Sequence, residues 1–317
     1  MGYLTKWGSA WGDIPLMTGR QFFVAPSATY TLEGRASYVA SDGHDGLSPE
    51  RALLTVNQAV TNATADVGDV ILLLPGSHSW AATQTISKAG LKVLGVPGGP
   101  LDPSARGTRT TRYDCAVTTT LAAGAVFTVT AARVEIAYLH VVPIASGTGF
   151  ALSACADANI HDITWVISTA TASDTIGISV TGATPRPRIA NQYVYVTDNQ
   201  GPFLRCASAT GSMAGGSLQN SMIVLGGTTA WDDVVEITTG VDQFTIRDCD
   251  FINSTSAVFT DIVDVTGNTT DGAVFITRCY FGIGSDLTEA TATSDVTVNM
   301  NFLGTVQGGT GGAVNGG

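Results

Sequence analysis

Asp42, His44 and Asp45 lie within four residues of one another, interleaved with Gly43 and Gly46. Carboxylates and an imidazole so close together could gather round a metal ion. A calcium loop of the EF-hand type needs acidic ligands at positions one, three and five, glycine at six and glutamate at twelve. Here the third position is His44, the fifth Gly46 and the sixth Leu47, so the pattern fails. Asp and Gly in this mixture favour a tight turn, and the segment is read as a turn. The four histidines, His44, His78, His140 and His161, show no zinc-ligand spacing. No metal and no cofactor is expected.

Arg205, Glu236 and Asp264 form the second constellation. When "DVVEI" from Asp233 is aligned with "DIVDV" from Asp261, Val235 and Ile237 match Val263 and Val265 as inward residues. Glu236 and Asp264 then point outward on neighbouring rungs, and Arg205 falls beneath Glu236. Two carboxylates about 5 Å apart are the equipment of a retaining glycosidase. An arginine beneath them also fits plain charge balance between strands. The column is read first as a structural ladder, then as a partner contact, then as a catalytic pair. No catalytic residue is assigned, and Glu236, Asp264 and Arg205 stand as the candidates.

Those positions depend on a repeat. An eight-residue pattern of apolar, x, Ile-like, x, x, apolar, x, large apolar recurs as "VEIAYLHV", "ANIHDITW", "FTIRDCDF" and "VFITRCYF". Weaker copies are "RIANQYVY" and "GSLQNSMI". The third position falls at 136, 160, 190, 218, 246 and 276, a period near 28. A second short alternating strand precedes each copy, as in "AVFTVTA", "IGISVTG" and "DVVEITTG". Helical repeats would need amphipathic helices that are absent here, and propeller blades are longer. Stacked coils sharing one core are expected. Cys249 and Cys279 occupy the same repeat position and should stack inside as thiols.

The segment "YVASDGHDGLSPERALLTVNQAVTNATADVGDVILLLPG" leads into the repeat. Thr55 and Gln58 make a Thr-x-x-Gln capping box. Val56, Ala59, Val60 and Ala63 make one apolar stripe, so a short helix should lie over the open end of the first coil.

The chain is all-β by this reading, and it resembles the right-handed parallel β-helix of the pectin-lyase-like superfamily from about Tyr38 to Met300. The resemblance divides it into an N-terminal arm (1–37), a lead-in segment with its capping helix (38–76), the β-helix (77–300) and a Gly-rich tail (301–317). Polygalacturonases of that superfamily carry Asn-Thr-Asp, Asp-Asp, Gly-His-Gly and Arg-Ile-Lys in order. Here Asp232-Asp233 and "NTTDG" match only faintly and in reversed order, and the last two motifs are missing.

With 15 basic and 26 acidic residues the formal net charge is -11, which disfavours nucleic acid as a partner. The longest apolar run, Val70 to Leu74, is far short of the ~20 residues of a spanning helix, so no membrane partner is expected, and no secretory signal is read. Five scattered cysteines then suggest reduced thiols in a cytosol-made protein. Low charge, abundant Thr, Ala and Gly, and non-repeat ends resemble the β-helix virion proteins of tailed bacteriophages. That resemblance implies a non-enzymatic outer capsid decoration protein, or next a tail appendage. It would be a homotrimer made in the host cytoplasm, docked on other virion proteins, the major capsid protein foremost. Trp7, Trp11, Phe22 and Phe23 are the expected docking residues, aromatic side chains being favoured anchors. The alternatives are a polysaccharide lyase or glycoside hydrolase of tailspike type, and a glycan-binding adhesin.

Overall fold

The computed structural model describes residues 19–32, 37–96, 115–168, 174–197, 201–206, 213–227, 230–237, 242–253, 259–265, 274–282, 288–289, 296–299 and 302–303. Among these residues the strands form a large parallel sheet, a second parallel sheet of eight strands, and one small antiparallel pair, Thr29–Thr31 with Ser37–Val39. No two strands consecutive in the chain pair within the parallel sheets; each pairs one coil further on. Glu135–Val141 pairs with Asn159–Ser168, which pairs with Arg188–Thr197. The other sheet runs through Ala125–Val129, Thr148–Leu152, Ile176–Val180, Leu204–Cys206, Trp231–Ile237 and Phe259–Asp264. This is a wall wound into coils, with the core inside.

The repeat fixes the corners. Ile136, Ile160, Ile189, Leu218, Ile246 and Ile276 form one continuous inward rung column. The weak copy "RIANQYVY" is therefore shifted by one: Ile189, not Ala190, stacks on Ile160. Two alternating inward positions should be an even number apart, yet the pattern steps by three from its third to its sixth position. The fifth position explains it. Tyr138, Asp162, Asn220, Asp248 and Arg278 all have positive φ, between 49° and 61°, as does Asn191. One left-handed residue turns the wall through a corner and lets the third and sixth positions both face the core, as Ile246 and Cys249 do. Asn and Asp tolerate that conformation best, which suits four of these six.

Within the core, aromatic rings stack from coil to coil. Trp80, Phe127, Phe150, Trp165 and Phe203 make successive contacts at 5.7, 5.5, 4.9 and 5.4 Å between centroids. Trp165 donates its indole N–H to Gln192 Oε1 at 2.7 Å, and Gln192 donates to the carbonyls of Ile160 and Ala190. The buried amide is thus satisfied, as burial demands.

The open end is capped as expected. The helix Val56–Asn62 (α1) buries Val56, Ala59 and Val60, and Thr55 accepts the Gln58 N–H at 3.1 Å. The other half of the expected capping box is made differently. Gln58 reaches forward to Asn62, and Asp42 takes the Thr55 backbone N–H instead. Asn57 behaves as a substitute rung on the strand Gln84–Ile86: its side chain accepts from Thr85 N and donates to Thr83 O, while its backbone N–H donates to Gln84 Oε1. Lys88 holds the helix C-terminal carbonyls of Thr61 and Ala63.

The structure moves one boundary. Gln21–Val24 pairs in parallel with Val70–Leu73, so the wall starts well before residue 37. Phe22 and Phe23 belong to this strand and are only 1% and 9% exposed. They pack into the protein's own core, which corrects their assignment as docking residues. Sequence periodicity missed this strand because it is short and buried on both faces. Trp7 and Trp11 lie outside the described residues, as does all of the Gly-rich tail beyond 303.

Candidate functional site

The column predicted from the repeat is in register. Arg205 lies beside Glu236, and Glu236 beside Asp264, on consecutive strands of the eight-stranded sheet. Arg205 Nε donates to Glu236 Oε2 at 2.6 Å. Although these residues face away from the core, they are not open to water: the Glu236 side chain is 13% exposed and Asp264 8% exposed. The arginine satisfies one carboxylate of the neighbouring pair and offsets the repulsion that two such groups on adjacent rungs would feel.

A second constellation lies on the other sheet, and the sequence reading did not find it. Lys92 Nζ meets Glu135 Oε2 at 2.6 Å. Glu135 Oε1 meets His161 Nε2 at 3.1 Å, and His161 Nδ1 meets Asp162 Oδ2 at 2.9 Å. Tyr138 packs edge-on against the imidazole with centroids 5.8 Å apart. Burial disfavours the imidazolium, but the bonds to Asp162 and Glu135 outweigh it and draw the His161 pKa up to about 9. The His161 bond, foremost, and Lys92 draw Glu135 down to about 2 despite its burial. The imidazole is held charged between two carboxylates, an arrangement for binding coils together rather than for passing a proton near neutrality.

The remaining charges repeat that theme at the corners. Asp66, Arg133, Asp157 and Arg186 are left-handed residues at one corner of successive coils, with Gly90 interposed. Each donates its backbone N–H to a carbonyl one coil on, for example Arg133 to Ala156 and Asp157 to Pro185. Their side chains alternate in sign. Arg133 bonds Asp66 at 2.7 Å, and Arg186 bonds Asp157 through two nitrogens at 2.7 and 2.8 Å. Arg278 grips Asp248 the same way, at 2.7 and 2.6 Å, at the other corner. The signal was partly present in the sequence, since Arg133 and Asp157 directly precede copies of the repeat, and Arg186 does so once "RIANQYVY" is shifted by one.

The Asp42–Gly46 turn holds the lead-in together. Asp42 accepts from Leu54 N, Thr55 N and Thr55 Oγ1 at 2.8, 2.9 and 2.9 Å. Asp45 accepts from Leu47 N and meets Arg51, and His44 Nδ1 lies 3.3 Å from Ala52 O. Both carboxylate oxygens of Asp42, and Oδ1 of Asp45, are turned to protein donors. His78 and His140 are buried, and burial pushes both imidazoles down, His78 to about 4. Among the described residues no group of three or more His, Cys, Asp or Glu is placed to hold a metal ion. All five cysteines are buried thiols.

No family model and no curated protein matches the sequence. Solved structures resemble its fold. Pectin methylesterase PemA from Erwinia chrysanthemi superposes with a TM-score of 0.59 at 11% identity, over 95% of this chain and 92% of that one. A pectin methylesterase in complex with a hexasaccharide gives 0.55, also at 11% identity, over 85% and 90% of the two chains. A tailspike of Acinetobacter baumannii bacteriophage Fri1, a capsular polysaccharide depolymerase, gives 0.31 at 12% identity, over 73% and 52%, and carries no weight for fold or function. At these identities the likeness concerns the fold alone. Coil rhythm, parallel register and superposition together identify the chain as a right-handed parallel β-helix.

Proposed function

We propose that the chain is a non-enzymatic structural protein of a tailed-bacteriophage virion, specifically an outer capsid decoration protein docked on the major capsid protein, with a tail appendage as the next placement. The observation that carries this reading is the use made of the outward charges. Arg205–Glu236, Lys92–Glu135–His161, Asp66–Arg133, Asp157–Arg186 and Asp248–Arg278 each join side chains of different coils. Groups that could do chemistry serve instead to stiffen a rod, as a protruding body requires. Attachment then falls to residues 1–18 and their Trp7 and Trp11.

Purified chain mixed with undecorated capsids and sedimented tests the proposal. Saturable co-sedimentation, lost on deletion of residues 1–18 but not on mutation of Glu236, supports it. A chain that stays in the supernatant sinks it. The deletion stops at 18 because removing 1–37 would also remove the Gln21–Val24 strand. Sedimentation equilibrium of the isolated chain tests the homotrimer.

A glycan-cleaving enzyme is the second reading, favoured by the adjacent rungs of Glu236 and Asp264. Release of reducing ends or unsaturated products from acidic polysaccharides, lost in Glu236→Gln, would establish it in place of the first. Retention of a glycan without cleavage would instead favour an adhesin.

A further inference from the structure

We propose that Cys249 and Cys279 are a redox modification site, which a peroxide closes to a disulfide joining two neighbouring coils. The pair stands on geometry that is independent of the virion reading. Arg247 pairs with Thr277 and Asp250 with Tyr280 in the parallel register, so Cys249 lies opposite Cys279. The register is locked on both sides. Tyr280 N donates to Cys249 O at 2.9 Å, and Arg278 clasps Asp248. Parallel neighbours sit about 4.8 Å apart, within the ~4.4–6.8 Å between Cα atoms that a disulfide accepts. Both side chains are fully buried and their thiols hydrogen-bond to each other.

The two sulfurs are not equivalent. The hydrogen bond from Cys249 stabilises a thiolate on Cys279 and pulls its pKa down, against burial. The same bond, then burial, pushes Cys249 well up. We assign Cys279 as the attacking sulfur and Cys249 as the resolving one; the reverse order gives the same disulfide. The Cys279 thiolate attacks one oxygen of hydrogen peroxide, the O–O bond breaks, and hydroxide leaves and takes up a proton to become water. Cys279 is now a sulfenic acid. The Cys249 sulfur attacks it; the S–S bond forms, the S–O bond breaks, and the departing hydroxide takes the Cys249 proton to become a second water. Two thiols have lost two electrons and two protons, and one peroxide has become two waters.

The test is to treat the folded, full-length chain with hydrogen peroxide, remove the excess, and titrate thiols after denaturation. The count is expected to fall from the five of the sequence to three. Intact mass should fall by two hydrogen atoms, and one peptide pair should contain both Cys249 and Cys279. Thiol reductant should reverse all three changes. In Cys249→Ser the intermediate should persist on Cys279 and be trapped by a sulfenic-acid reagent. Five thiols after peroxide, a disulfide to any other cysteine, or a sulfenic acid trapped elsewhere in that variant would overturn the proposal. The wild-type measurement decides the matter even if the variant does not fold.

Discussion

The Asp42 carboxylate holds both the backbone N–H and the hydroxyl of Thr55, each at 2.9 Å. Thr55 in turn caps α1 through the Gln58 N–H. The turn that looks like a ligand loop is thus the outer half of a helix cap, and the helix is the lid on the core.

Replacing Asp42 by Ala should destabilise the protein by about 2–3 kcal/mol, because three bonds to one charged acceptor and the support of an N-cap are lost together. Asp42→Asn keeps an acceptor for the two backbone donors and should cost less than half as much. Chemical denaturation followed by circular dichroism measures both. Calcium or EDTA should leave the wild-type midpoint where it is; a calcium-dependent rise would restore the metal-loop reading.

The sequence disclosed the coil and hid its cross-links, for a physical reason. Inward residues must be apolar on every coil, so Ile136, Ile160, Ile246 and Ile276 recur and the column can be read. The odd step between Ile136 and Leu139 even marks the corner at Tyr138, though only the backbone shows its left-handed turn. Arg205, Glu236 and Asp264 could be aligned because Val235 and Val263 flank the acids in the same frame. Lys92 is in register with Glu135, so that pair was open to alignment of "LKVLGV" with "VEIAYLHV", but the link from Glu135 to His161 was invisible because it runs diagonally. Glu135 is in register with Asn159, not with His161, and diagonal reach is set by side-chain length rather than by the repeat. Phe22 and Phe23 were misjudged because one short strand carries no period of its own.

Stability should have a plateau bounded by His161 and Glu135. The folded pKa of His161, about 9, lies above its ordinary 6.5. Its contribution is full below pH 6.5 and is lost as pH rises through 9. Glu135 is depressed from 4.5 to about 2, so its contribution is present above pH 4.5 and is lost as pH falls through 2. Thermal midpoints should therefore be flat between about pH 4.5 and 6.5 on account of this pair and decline on either side. In His161→Gln the alkaline decline should shrink, with Lys92, Asp162 and Tyr138 still in place around the site. An unchanged alkaline limb in that variant would show that His161 does not carry the charge assigned to it.

Removing Arg205 should hurt more than removing the charge of Glu236. In Arg205→Met the mostly buried Glu236 loses its partner and still faces Asp264 on the next rung. A loss of about 1–3 kcal/mol is expected, below that of a fully buried pair because Arg205 is 34% exposed. Glu236→Gln relieves the repulsion as it breaks the ion pair, so its cost should be under about 1 kcal/mol. Denaturant midpoints of the two variants give the order directly. The reverse order would mean that Glu236 and Asp264 do not repel in the folded chain, which would weaken the ladder interpretation.

Gly149 should tolerate no side chain, although its neighbours along the wall carry them. A methyl group there would lie 2.3 Å from Trp165 Cζ3 and 2.7 Å from the Gly177 carbonyl oxygen. The first clash is with a ring wedged between Phe150 and Phe203 and fixed by its bond to Gln192. The second is with backbone of the next coil. Neither can yield without disturbing the stack, so Gly149→Ala should cost about 1–3 kcal/mol by overpacking. Movement of the indole from its apolar slot should also red-shift the tryptophan emission. Trp165→Phe alone should destabilise as well, since it removes the donor to Gln192 and leaves a gap. Combined with Gly149→Ala it vacates the space the methyl group needs. The double variant is expected to be more stable than the sum of the single losses predicts. Strict additivity would show that the clash with the Gly177 carbonyl, not the Trp165 ring, is what demands glycine at this position.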